Sequence, residues 1–361
     1  MLTQEALTDC RFCSQVSKAN GEDPIGTAGT ADYWLVMELA QPWSGQIFQE
    51  DSRTKPLTGL LQQLFMKHGI VMRPLLIAPD PDYSQPGKTR LLYYRRPQQQ
   101  FAQFEKQEFI VPEAEFPRLA TAIMKSLMNQ SNELQAFQGY RQETSHIREI
   151  LVCTHGNVDT ACARFGHPIY KKLREEYGEN MRVWRCSHFG GHQFAPTLID
   201  LPDGHYWGHL EPKMLDLLIY RNGDVTGLRS HYRGWAGLSK FEQVAEREIW
   251  MQKGWSWLSQ HKSGKTVCKE LTGIKRYLYP LLRLIPLKGV KLLVEQLTND
   301  ATWAEVQIQV HQTEQKTPQT YTAQIEVSGQ AMSAWRSPKS GEKIELHQVP
   351  QYRVSRLVNS N

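Results

Sequence analysis

No stretch of this 361-residue chain offers the roughly 20 uncharged residues that a membrane-crossing helix requires. The most apolar segment, "YLYPLLRLIPLKGVKLLVEQL", is broken by Pro280, Arg283, Pro286, Lys288 and Lys291, so a transmembrane span is excluded. The start, "MLTQEALTDCRFC", lacks a basic segment followed by an apolar one, and no secretory signal is expected. Cysteine is scarce as well. Six in so long a chain do not make a secreted disulfide framework. The expectation is a cytoplasmic protein, in which paired cysteines point to metal or redox work. Strong charge is also missing: a formal +5 permits an acidic partner and gives no argument for nucleic acid.

What the chain does have is the material of a folded core. It is 40% hydrophobic, with ten tryptophans, and its length suggests two or three domains. Residues 148–222 are the most informative. "REILVC" reads as a strand ending at Cys153. From Asp159 to Tyr177, apolar or aromatic residues (Ala161, Phe165, Ile169, Leu173, Tyr177) recur every four positions, a helical stripe stopped by Gly178. Pro168 offers an alternative start for that helix. "MRVWRC" is a second strand, "PTLIDL" and "HYWGHL" form a pair turned by "PDG", and "EPKMLDLLIYRNG" is a helix ending near Gly223. The order β-α-β, loop, β-β-α is that of a thioredoxin-like fold.

The first 140 residues repeat this order. "DYWLVMEL" is a strand, "TGLLQQLFMKHG" a helix, "RPLLIAP", "TRLLYYRR" and "QEFIVP" strands, and "EAEFPRLATAIMKSLM" a helix. Beyond residue 225, "SKFEQVAEREIWMQKGWSWL" is helical, with Ser239 and Glu242 in capping-box spacing. "WAEVQIQVHQ" and "TYTAQIEVSG" form a hairpin, and "EKIELHQVPQYRVSRLV" supplies one or two further strands. The expected architecture is therefore α/β: tandem thioredoxin-like domains with a C-terminal helical and small β appendage. The expected boundaries are 1–140 (degenerate copy), 145–225 (functional copy) and 226–361.

Chemistry gathers in the second copy. "VCTHGNVDTAC" places Cys153 at a strand end and Cys162 near a helix start, where backbone N–H groups favour a thiolate. Thirty residues on, "RCSHFGGH" places His188 and His192 around Gly190-Gly191, a turn that glycine makes cheap. The β-α-β order brings these two loops together. Cys-x₈-Cys is too wide for a zinc finger's first pair, whereas a wide cysteine loop suits a two-iron cluster. At the matching places the first copy has "AQPWSGQ" and "DPDYSQPG", with neither cysteine nor histidine. His205 and His209 share the HxxxH spacing but sit on a predicted strand, about 13 Å apart at the strand rise, and are not expected to share an ion.

These segments, with "SHFGGHQFAPTLIDLPDGHYWG", "HYRGWAGLSKFEQVAE" and the opening "GEDPIGTAGTADYWLVMELAQPW", resemble the sucrase/ferredoxin-like family, a branch of thioredoxin-like ferredoxins. The likeness covers most of residues 10–260 and implies a [2Fe–2S] cluster on two cysteines and two histidines. Carried over singly, these are Cys153, Cys162, His188 and His192. Where members often have a second cysteine beside the position of Cys162, this chain has Ala161. The resemblance implies an electron carrier or reductase component rather than a hydrolase, served by a redox partner protein such as a flavoprotein reductase or ferredoxin. Unlike a Rieske site, one loop would give both sulfurs and the other both nitrogens. Neutral imidazoles in place of thiolates raise the potential, and their free N–H invites proton-coupled electron transfer.

The remaining signals are slighter. His155 and Asp159, inside the cysteine loop, suit a supporting role around the ligands. Cys186 reads as a structural thiol. Cys10 and Cys13 have CxxC spacing without a preceding strand and read as an unremarkable pair, with a labile disulfide or half of a second metal site as alternatives. The basic segment 271–291, with Lys275, Arg276, Arg283, Lys288 and Lys291, is a solvated face or a docking surface for an acidic partner. A structural zinc site on the same four residues, and a thiol–disulfide oxidoreductase using Cys10/Cys13 or Cys153/Cys162, are the competing functions. A homodimer is compatible with the sequence.

Overall fold

Near-continuous apolar runs make the central strands, because these strands are covered on both faces. In β1 (Tyr33–Glu38) and β6 (Arg148–Cys153), every residue after the first is buried. The structure is a computed structural model that describes residues 12–360 apart from 180, 272, 274, 276, 278, 280–284, 287, 312–317 and 340–341. Ten strands form one mixed sheet. Besides β1 and β6 these are β2 (Met72–Ile77), β3 (Lys88–Arg95), β4 (Glu105–Pro112), β5 (Arg141–Gln142), β7 (Met181–Cys186), β8 (Leu198–Leu201), β9 (His205–Trp207) and β10 (Tyr232–Trp235). Their order across the sheet is β10-β9-β8-β6-β7-β2-β1-β3-β4-β5.

This order contains the same motif twice. In the first half β1 and β2 are parallel, β3 lies antiparallel beside β1, and β4 lies beside β3. In the second half β6 and β7 are parallel, β8 lies antiparallel beside β6, and β9 lies beside β8. Each parallel pair needs a crossover, supplied by α2 (Lys55–Gln63) in the first half and α4 (Thr160–Tyr177) in the second. The halves join edge to edge where β2 meets β7 antiparallel, at Ile77 and Cys186. They do not form separate layers.

The sheet curls until distant strands touch across its concave face. Lys106 Nζ on β4 lies 2.6 Å from Glu149 Oε1 on β6, and the Trp34 ring on β1 meets that of Tyr206 on β9 at 5.8 Å. One apolar core therefore runs through both halves and on into the C-terminal strands. A second core fills the outer face of the first half, under α2 and α3 (Phe116–Leu127).

α4 begins at Thr160, because the Asp159 side chain caps it by accepting the Ala161 N–H at 2.9 Å. Pro168 sits inside this helix, which corrects the alternative start there; the cap and the buried stripe outweigh one lost hydrogen bond. α5 (Lys240–Lys253) carries the full capping box of Ser239 and Glu242. Behind it lies a second, antiparallel sheet of β11 (Lys262–Glu270), β12 (Trp303–Val310), β13 (Gln319–Ala334) and β14 (Leu346–Ser360). β14 is one long strand. β11 has no counterpart in the sequence reading, since "KSGKTVCKE" is an edge strand too polar to show a buried face. No helix among the described residues is long and apolar enough to cross a membrane. In the basic segment 271–291, Arg276 and Arg283 lie outside the described residues, and Lys275 is paired with Asp300.

Candidate metal centre

The cysteine loop leaves β6 and the histidine loop leaves β7, so the parallel pairing sets them side by side. Cys153 and Cys186 are register partners at the end of that pair. Gly166, one turn after Cys162, lets α4 lie against the strand end: a Cβ there would be 2.1 Å from the Cys153 carbonyl oxygen. The Cys162 thiol is thereby brought against that of Cys153.

Three ligand atoms converge here. The Sγ atoms of Cys153 and Cys162 and a nitrogen of His188 lie within 4.8 Å of one another. His188 Nδ1 is 3.9 Å from the first sulfur and 3.7 Å from the second. The hydrogen bond from Cys162 holds the Cys153 thiol well below its ordinary pKa; burial opposes this and His188 reinforces it. Cys162 is correspondingly pushed up, as the donor of that pair. The guanidinium of Arg233, wholly buried behind the site, adds positive charge facing both sulfurs.

His192 takes a different position. Its ring lies 5.6 Å from that of His188, tilted by 36°, and its Nδ1 faces Cys13 Sγ at 3.2 Å and Asp159 Oδ2 at 3.4 Å. These form a second group of three ligand atoms within 4.8 Å of one another. Burial keeps the His192 imidazole neutral, against the pull of the Asp159 carboxylate. Cys13, at the start of α1 (Cys13–Ala19), is fully buried, which pushes its thiol up to about 12. Its CxxC spacing read as an unremarkable pair or as half of a second metal site; the structure places Cys13 in this second group, and Cys10 lies outside the described residues.

Supporting contacts come from all parts of the chain. His155 accepts the His188 backbone N–H at Nδ1 (3.3 Å), and its Nε2 meets the Trp43 carbonyl at 3.1 Å. Asp159 accepts the Ser337 amide and hydroxyl, each at 2.7 Å. Burial works against the Asp159 carboxylate, yet these bonds hold it below the usual range. The histidine loop turns at Gly190 and Gly191, with φ of +92° and +78°, and Arg233 donates to the Gly190 carbonyl at 3.0 Å. Arg233, Ser337 and Trp43 escape sequence reasoning. Nothing in the spacing of Ser337, 178 residues beyond Asp159, announces their contact.

Of the other candidates, Cys186 is wholly buried and in neither group, and Cys268 is exposed. His205 and His209 do not join: His205 Nδ1 meets the Tyr232 hydroxyl at 2.9 Å, and His209 Nε2 meets Ser17 Oγ at 3.2 Å. β9 ends at Trp207, before His209.

The sequence profile of the sucrase/ferredoxin-like family matches residues 24–234, more than half of the chain. The chain belongs to this family. Neither curated proteins nor solved structures offer a match. Within this sucrase/ferredoxin-like protein the matched span holds both loops and Arg233, whereas Cys13 and Ser337 reach the site from outside it. Two thiols and an imidazole on one point, with a second imidazole beside them, form a donor set suited to a soft metal or an iron–sulfur centre.

Proposed function

We propose that this protein transfers electrons through a [2Fe–2S] cluster held by Cys153, Cys162, His188 and His192. The observation that carries the reading is the meeting of the two loops: two buried thiols and two imidazoles gather at one end of the β6–β7 pair. Such a cluster accepts and returns one electron, at a potential raised by neutral nitrogen ligands. The chain's own residues prepare the place. The depressed Cys153 thiol and the buried Arg233 favour sulfur in its charged form. His155 fixes the His188 backbone, and Asp159 faces the second imidazole.

The repeated strand order supports tandem thioredoxin-like domains, a degenerate copy at 1–140 and a cluster-bearing copy at 145–225; the appendage proposed at 226–361 lends β10 to their shared sheet. The same reading calls for a cytoplasmic protein served by a redox partner, a flavoprotein reductase or a ferredoxin, with a homodimer compatible. Proton coupling is part of it. A midpoint potential constant from about pH 5 to 10 would remove that part and leave electron transfer in place.

Anaerobic purification with a visible spectrum and iron, sulfide and zinc analysis tests the reading. A red-brown protein with about two irons and two sulfides per chain is expected. A colourless protein with one zinc would make the centre structural. A protein that stays metal-free after reconstitution would overturn metal binding altogether.

A further inference from the structure

The site contains one thiol more than a four-ligand centre of two cysteines and two histidines uses. Cys13 brings it from the other end of the chain, 140 residues before Cys153. Its place is tightly defined. Its amide donates to Ser337 Oγ at 3.2 Å, and the same hydroxyl donates to Asp159. Its side chain packs with Val16, Ala161 and Ala195. The N-terminal helix, the cysteine loop and the C-terminal sheet therefore meet at this sulfur.

Each of the two groups sets an imidazole against thiol sulfur, two thiols in the first and one thiol with the Asp159 carboxylate in the second. His188 turns Nδ1 toward the sulfurs of Cys153 and Cys162, and His192 turns the same nitrogen toward the sulfur of Cys13, at the shortest of the three distances. With the two rings 5.6 Å apart, the sulfurs flank one pair of imidazoles, two on the His188 side and one on the His192 side. No sulfur besides those two is grouped with His188 among the described residues.

We propose that Cys13 is a third thiol ligand available to the metal centre, able to take the place of His192 but not of His188. This rests on the metal-binding reading above. Were Cys13 to bind, His192 would leave and its nitrogen would take up the proton that the thiol gives up, with no electron changing hands. The freed imidazolium then faces the Asp159 carboxylate. A thiolate in place of a neutral imidazole adds negative charge and lowers the potential. The centre thus has two settings, chosen by which of two neighbouring side chains is bound.

The test compares full-length His192→Gln, His188→Gln, Cys13→Ser and the double variant Cys13→Ser/His192→Gln after anaerobic reconstitution, reading iron and sulfide content and the electron paramagnetic resonance of the reduced protein. His192→Gln should retain its cluster with an altered spectrum, while His188→Gln and the double variant bind iron about tenfold or more weakly. Equal iron retention in His192→Gln and the double variant would overturn the proposal, as would equal retention in the two single histidine variants. If the wild type takes up no iron and sulfide, the cluster reading fails first, and cobalt(II) then decides on Cys13. Sulfur-to-cobalt absorbance of His192→Gln should fall by about one-third on adding Cys13→Ser, the share of one thiolate in three. No fall would overturn the proposal there too. Circular dichroism of each variant separates loss of ligand from loss of fold.

Discussion

The two halves of the ten-stranded sheet follow one strand order, yet among the described residues only the second gathers thiols and imidazoles at the end of its parallel pair. The first half uses the equivalent loops for support. After β1, the Trp43 ring packs edge-on against His155, and its carbonyl accepts Asn157 Nδ2 at 2.5 Å. After β2, Asp80 accepts Arg174 and Tyr170 from α4, the helix that starts beside Cys162. The first half, whose loops after β1 and β2 hold no thiol or imidazole, thus forms the wall against which the ligand loops are set. These loops are held in place by their packing on the site.

The largest effect is expected where the halves share buried charge. Glu108 on β4 accepts Arg90 at 2.7 Å and Arg182 at 2.8 Å, while Glu149 on β6 accepts Lys106 at 2.6 Å and the Trp184 indole N–H at 2.6 Å. Lys106→Met removes the nearer of the two cations at the buried Glu149 carboxylate, leaving Arg182 at 3.3 Å, at a cost of about 3 kcal/mol, the low end for breaking a buried pair. Chemical denaturation followed by tryptophan fluorescence and circular dichroism should show one transition, shifted to lower denaturant. Two separated transitions would mean that the halves fold independently and that the curled sheet is not one cooperative unit.

A glycine in each half sharpens the comparison. Gly191 in the histidine loop and Gly87 in the equivalent loop of the first half both have positive φ, +78° and +71°. A Cβ on Gly191 would lie 2.3 Å from Arg233 Nη2, whereas one on Gly87 would meet nothing within 4 Å. Gly87→Ala should cost only the left-handed strain, about 1–2 kcal/mol. Gly191→Ala should add about 1–3 kcal/mol of overpacking and should lower the metal content as well. Equal melting shifts in the two variants, with metal content untouched, would show that Arg233 yields easily and does not define the loop.

How much of this was legible follows from where each signal resides. The strands and helices of both halves show in apolar runs and turn residues, because that information is local. The pairs Cys153/Cys162 and His188/His192 also show, because each lies within one loop. Their separation into two groups of ligand atoms does not, since His192 is turned by Cys13 and Asp159, and Cys13 arrives from 179 residues away. Ser337 and Arg233 are set by tertiary contact alone. The CxxC spacing drew attention to Cys13, but toward Cys10 as its partner rather than toward an imidazole.

The effect that is smallest per step of the variable concerns acid. The buried histidines among the described residues, His155, His205, His209 and His231, all lie beyond residue 150, and the first half holds only His68, which is not buried. Burial pushes His209 down to about 3, with the Lys18 ammonium adding to the effect, and drives His205 well below its ordinary value as well. In the unfolded chain an imidazole titrates near 6.5. Between about pH 6.5 and 3 the unfolded chain therefore binds a proton at His209 that the folded chain does not. Stability must fall as the pH falls through that window, by about 1.4 kcal/mol per pH unit for one proton. His209→Gln removes this contribution and leaves that of His205. Denaturation midpoints from pH 7 to 4 should decline less steeply in the variant, by about one proton's worth of slope. An unchanged slope would show that the burial of His209 carries no acid sensitivity, and its share of the contrast in buried imidazoles would then have no energetic weight.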